Sequence, residues 1–73
     1  MNINWDEYKH YKATEDVRGD NFDILLSFLK SYYNMSSPVE LFETLKNDNL
    51  SQMMLEKREI ADPSSLESYI RTH

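Results

Sequence analysis

"NFDILLSFLKSYYNM", residues Asn21 to Met35, is the stretch that decides the fold. Phe22, Leu25, Leu26, Leu29, Tyr32 and Tyr33 recur at i, +3, +4, +7, +10 and +11, which marks one face of an amphipathic helix. At about 100° per residue, Ile24, Phe28 and Met35 form a second apolar stripe. Asp23, Ser27, Lys30, Ser31 and Asn34 share what remains. So narrow a polar side predicts a central helix near Phe22 to Tyr33, covered by neighbours on two sides.

Just upstream, "EDVRGDNFD" (Glu15 to Asp23) holds the only glycine of the chain. Asp20 or Asn21 is a suitable N-cap, and Asp23 suits the positive end of the helix dipole. A calcium loop would need oxygen ligands at alternate positions and a closing bidentate glutamate, but Val17 and Arg18 stand where ligands belong. Arg18-Gly19-Asp20 spells the adhesion tripeptide, a match short enough to arise by chance. The expectation is structural: Gly19 reverses the chain and the next residue or two cap the central helix.

Shorter helices extend outward on both sides. Asn4 and Glu7 form a capping box, and Trp5, Tyr8 and Tyr11 share one face of a helix that ends near Lys12 or Ala13. "SSPVE" gives a cap at Ser37, a first-turn proline at Pro38 and Glu40 to complete the box; Leu41, Phe42 and Leu45 face inward. Asn49 with Gln52 marks another start, and Leu50, Met53, Met54, Ile60 and Ala61 are expected to share its buried face, with Lys57 snorkelling. "ADPSS" repeats the capping logic at Asp62 and Pro63, with Leu66, Tyr69 and Ile70 inward. The fold class expected is all-α: one domain over residues 1–73, a compact bundle of four to five short helices.

Composition agrees. One glycine and two prolines are too few for the turns of a β-rich chain, and 40% hydrophobic residues with nine aromatics are too many for disorder. No apolar run approaches the ~20 residues that a bilayer requires, and no basic-then-apolar leader opens the chain. With no cysteine the expected location is cytoplasmic. Eight basic against thirteen acidic residues give a net charge of −5, which disfavours direct binding to nucleic acid or an anionic membrane and favours a protein partner with a basic surface.

Catalytic signatures are missing from the sequence: there is no cysteine nucleophile, glycine-rich phosphate loop, G-x-S-x-G elbow or H-E-x-x-H helix. Asp6, Glu7 and His10 could share a helix face, but a fourth metal ligand does not follow. Five short helices are expected to leave little room for a pocket of ~300 Å3 or more. Neither an enzyme nor a cofactor or metal site is therefore expected. Asn34-Met35-Ser36 and Asn49-Leu50-Ser51 match the glycosylation pattern, which matters only in a secreted chain.

Two features point to a partner. Asp20/Asp23, Glu40/Glu43 and Glu56/Glu59 are i, i+3 acidic pairs, ~5–6 Å apart when helical, a spacing comparable to that of backbone phosphates. They are either rows of charge for a basic partner or solvated faces. Leu55 points away from Leu50, Met53 and Ile60, toward Gln52 and Glu59, and is either a packing residue or an apolar anchor. The expected partner-binding set is Asp20, Asp23, Glu40, Glu43, Gln52, Leu55, Glu56 and Glu59. Tyr8, Tyr11, Met35 and Leu55 are expected to stay partly exposed and to meet a partner or a second copy in a homodimer. "QMML" (Gln52 to Leu55) is similar in its leading glutamine to peptides that dock on sliding clamps, without their aromatic pair.

In small size, acidity, absence of cysteine and Asn/Lys/Ile/Tyr/Asp-rich usage, the chain resembles small phage-encoded proteins that bind and redirect host machinery. The resemblance implies a DNA mimic acting in the host cytoplasm on a polymerase, nucleoid protein or sliding clamp. The alternative expectation is a small helical adaptor or assembly subunit that binds through an apolar face.

Overall fold

The computed structural model describes residues 2–72. Among these, five helices follow in order: α1 (Trp5–Thr14), α2 (Asn21–Tyr32), α3 (Pro38–Lys46), α4 (Asn49–Lys57) and α5 (Pro63–Thr72), with no strand. The all-α bundle expected from the sequence is the fold observed.

Each start has its chemical cause. Asn4 accepts from the Glu7 N–H at 3.1 Å, Asp20 from the Asp23 N–H at 3.0 Å, and Asp62 from the Ser65 N–H at 2.7 Å. Asp48 caps α4 in place of the expected Asn49, accepting from the Leu50 and Ser51 N–H groups. Pro38 and Pro63 occupy the first turns of α3 and α5, where a missing N–H leaves nothing unsatisfied.

α2 is the most buried element: Phe22, Leu25, Leu26, Phe28 and Leu29 are all inside. Its first stripe meets the rest of the core, and its second is covered by α1 through an aromatic cluster centred on Phe28. Tyr8, Tyr11, Tyr32 and Tyr33 all place rings within 5.5 Å of Phe28, the range of favourable edge and stacked contacts. Tyr8 is therefore buried, against expectation, and its hydroxyl donates to the Asn21 carbonyl at 2.9 Å. Tyr32, placed inward by periodicity, is half exposed because it caps the outer end of this cluster.

α3 packs against both α4 and α5. The largest departure from expectation lies in α4. Leu50 and Met53 are exposed at 56% and 65%, whereas Ser51 and Leu55 are buried. Only two residues, Asn47 and Asp48, join α3 to α4, so the helices come together at once and a small side chain must face the contact. Ser51 fits there because its hydroxyl donates to the Leu45 carbonyl of α3. Leu55, one turn on, enters the core and is a packing residue, not an exposed anchor.

The ends of α2 and α4 explain two further burials. α4 stops in a Schellman-type motif, with the Ile60 N–H donating to the Leu55 carbonyl at 3.0 Å and Glu59 in the left-handed region at φ 59°. Ile60 thus belongs to a turn beyond α4 and closes over Leu55. At the end of α2, Asn34 at φ 57° turns Met35 inward, where the Thr44 hydroxyl meets its sulfur at 3.6 Å. Met35 is buried, also against expectation.

Candidate functional site

The eight expected partner residues fall into three groups, with Glu56 belonging to two of them. Asp20 and Asp23 belong to the internal architecture. Asp20 caps α2, and its carboxylate also pairs with Arg58 at 3.2 Å, joining the start of α2 to the end of α4. The Asp23 backbone hydrogen bond holds the Asp20 carboxyl below its usual range against the opposing effect of burial, with Arg58 assisting. Asp23 accepts the Tyr69 hydroxyl of α5 at 2.8 Å. Burial, reinforced by that bond, raises the Tyr69 phenol above its usual value. Charges so engaged are poorly placed to meet a partner.

Arg58 is the site residue that sequence reasoning missed. Its guanidinium lies 4.5 Å from the Phe22 ring centroid and donates to the Met54 carbonyl at 3.2 Å. The Lys57-Arg58 adjacency was visible, but nothing local signals a partner 38 residues away.

Gln52, Leu55 and Glu56 form the second group. They line a shallow depression of about 140 Å3 with Phe42 and Lys46 of α3 and with Ile60 and Ala61. The Lys46 ammonium sits 5.8 Å from the Phe42 ring centroid, so this depression carries one cation beside one carboxylate.

Glu40 and Glu43 on α3, Glu56 on α4 and Glu59 in the turn beyond it form the third group; the helical spacing expected for Glu56/Glu59 does not hold, because α4 ends at Lys57 and Glu59 is in the left-handed region. All four are exposed. Among the described residues the ion pairs are Arg58 with Asp20 and Arg71 with Glu67, and none of these four glutamates takes part. Two mutually packed helices and the turn after α4 thus display four carboxylates that take no part in these ion pairs. Each faces water, so a cationic surface could approach with little desolvation cost.

A larger concavity, open to solvent and of about 400 Å3, lies between α2 and α5 and is bordered by the Arg18-Gly19 turn. The expectation that five short helices leave little room for such a volume is corrected here. The space arises because Ser27 and Lys30 turn outward from α2 while Tyr69 and Ile70 of α5 are only half buried. Asp6, Glu7 and His10 are not gathered into a metal site; among the described residues no three His, Asp or Glu side chains are so placed. No described helix is long and apolar enough to cross a membrane. Comparison with protein-family models, with curated proteins and with solved structures finds no match.

Proposed function

We propose that the protein is a non-enzymatic acidic binder that covers the basic, nucleic-acid-binding surface of a protein partner, its carboxylates taking the place of phosphates. The observation that supports this most is the set Glu40, Glu43, Glu56 and Glu59, exposed and free of ion pairs to described residues on two packed helices and the turn that follows α4. The net charge of −5 adds a long-range field of the same sign. Such a field speeds encounter with a cationic groove, and rigid helices fix the spacing of the charges once contact is made. The general resemblance to phage proteins that redirect host machinery points in the same direction, toward polymerases, nucleoid proteins or sliding clamps. Retention of partners from a bacterial lysate, identified by mass spectrometry, would supply the target. Duplex DNA should then displace the protein from it, and retention should fall between low and moderate salt.

A second function is favoured by a different observation. Leu50 and Met53, one turn apart on α4, are the most exposed aliphatic pair on one helix among the described residues. They would suit a helical adaptor that binds through an apolar face. In that case Leu50→Ser with Met53→Ser would abolish retention and salt would scarcely change it, the reverse of what an electrostatic interface shows.

A further inference from the structure

We propose that the outer face of the Tyr32 ring, with the Glu7 carboxylate beside it, is a docking site for an arginine side chain presented by a protein partner. The site lies on α1 and α2, apart from the acidic set of α3, α4 and the turn after α4. It rests on the reading of a basic partner for the owner of that arginine, while its geometry stands alone.

The i, +4 spacing on α2 lays Tyr32 over fully buried Phe28, with ring centroids 5.0 Å apart and planes within 20° of parallel. Tyr33 stands at 84° to Tyr32, its centroid 5.0 Å from that ring and 5.5 Å from Phe28. The three centroids form a nearly equilateral triangle, which puts Tyr33 beside the stack. A ring on the far face of Tyr32 would lie roughly twice as far from Phe28 as Tyr32 does. Phe28 therefore backs one face of Tyr32 and the opposite face is left to solvent, which accounts for its being half exposed at the rim of an aromatic cluster. A ring held on two sides loses little freedom when a ligand stacks on the third.

The charge beside this ring is negative. The half-buried Glu7 carboxylate of α1 lies close enough to accept from the Tyr32 hydroxyl; desolvation, and after it this carboxylate, raise the Tyr32 phenol above its ordinary value. A carboxylate that accepts one such bond keeps acceptor capacity for a second donor. α2 ends at Tyr32, so the carbonyls of its last turn add the negative end of the helix dipole. The chain's own cations are directed elsewhere. Lys12 of α1 donates to Asn21 and lies 5.2 Å from the Tyr8 ring centroid. Lys30, in the last turn of α2, projects about 160° round the helix from Tyr32 at ~100° per residue. Among the described residues the cation–ring contacts fall on Tyr8, Phe42 and Phe22, and the Tyr32 face carries none. A flat ring face with a carboxylate at its hydroxyl edge suits a planar guanidinium, which can stack on the ring while its N–H groups donate to Glu7. A compact, strongly hydrated lysine ammonium cannot do both as well.

The test titrates the protein with acetylated, amidated tetra-arginine beside tetra-lysine, following backbone amides and tyrosine ring protons by NMR. The net charge of −5 attracts both peptides alike, so the difference between them reads the guanidinium. The arginine peptide is expected to bind about two- to fivefold tighter, the effect of one exposed arginine–ring contact, with saturable shifts at the Tyr32 ring and the Glu7 amide. Tyr32→Leu should bring the arginine peptide down to the lysine level and leave the lysine peptide unchanged. Tyr32→Phe keeps the face and should keep the preference. Glu7→Gln should weaken the arginine peptide more than Glu15→Gln, which removes the same charge beyond the far end of α1. Equal affinity for the two peptides, a preference that survives Tyr32→Leu, one that is lost in Tyr32→Phe, or shifts centred elsewhere would each overturn the assignment. Replacing Glu40, Glu43, Glu56 and Glu59 by glutamine should weaken both peptides together and leave the preference, so failure of the arginine site and failure of the acidic-face reading are told apart.

Discussion

Glu59→Gly should make the protein more stable, although it deletes an acidic side chain from an exposed turn. Glu59 follows the C-cap of α4 at φ 59°, with its N–H donating to the Glu56 carbonyl at 3.1 Å and the next N–H closing onto Leu55 at 3.0 Å. A residue with a Cβ loses roughly 1–2 kcal/mol in this left-handed conformation. Glycine avoids that loss but gives back roughly 0.5–1 kcal/mol through the greater freedom of the unfolded chain. Removing a negative charge from the negative end of a helix adds about 0.3 kcal/mol. The balance is a gain of about 0.3–1.8 kcal/mol, or roughly 1–14 °C in melting temperature for a domain of this size. Thermal unfolding followed by circular dichroism measures it, with Glu59→Ala as control, since alanine removes the same charge and keeps the Cβ. Glycine above both parent and alanine is expected. Glycine at or below alanine would refute the left-handed turn and, with it, the Schellman closure that buries Ile60.

Leu55→Ala should cost ~2–5 kcal/mol in urea unfolding, as for a buried leucine, while Met53→Ala, at 65% exposure, should stay within ~0.5 kcal/mol; reversed values would restore the face expected from sequence. Asp48→Ala removes the cap of α4 and the acceptor of the Trp5 indole N–H at 3.0 Å, so a loss of about 1.5–3 kcal/mol should accompany a change in native tryptophan emission. Acid should destabilise the fold through Asp62 and Asp20. The Ser65 backbone hydrogen bond lowers the folded value of Asp62, and that of Asp23 lowers Asp20. With folded values depressed, their stabilisation is present above the unfolded value near pH ~4 and is lost as pH falls through the folded one. Urea midpoints at pH 7, 5 and 3 should therefore fall chiefly in the last interval, and Asp62→Asn, which keeps the cap without the titration, should fall less.

Elements governed by local chemistry were legible in the sequence. The caps at Asn4, Asp20, Ser37 and Asp62 each depend on a side chain and an N–H three residues later; three were expected outright and Asp20 was one of two candidates. The central helix declared itself because two apolar stripes leave little choice of face. What was hidden depended on contacts between distant residues. The orientation of α4 turned on Ser51, a polar residue buried because its hydroxyl reaches Leu45, and hydrophobic periodicity counts such a residue as surface. Glu59 and Ile60 looked helical because a glutamate in the left-handed region carries no sequence signal comparable to glycine. In the candidate site, charge was legible but engagement was not. Asp20 and Asp23 read like Glu40 and Glu43 until Arg58 and Tyr69 are seen to hold them.

The most direct test of the proposed function replaces Glu40, Glu43, Glu56 and Glu59 together by glutamine. Side-chain shape is kept at all four sites and helix propensity at the three helical ones, four charges are lost, and the net charge moves from −5 to −1. Each exposed carboxylate contributes only ~0–1 kcal/mol, so the effect should emerge in the combination and not in single substitutions. Association with the partner retained from lysate should be measured by surface plasmon resonance at low and moderate salt. A folded variant that loses most of its affinity, chiefly through slower association and with a flattened salt dependence, is the predicted result. A variant that associates as fast and binds as tightly as the parent at both salt concentrations would contradict it.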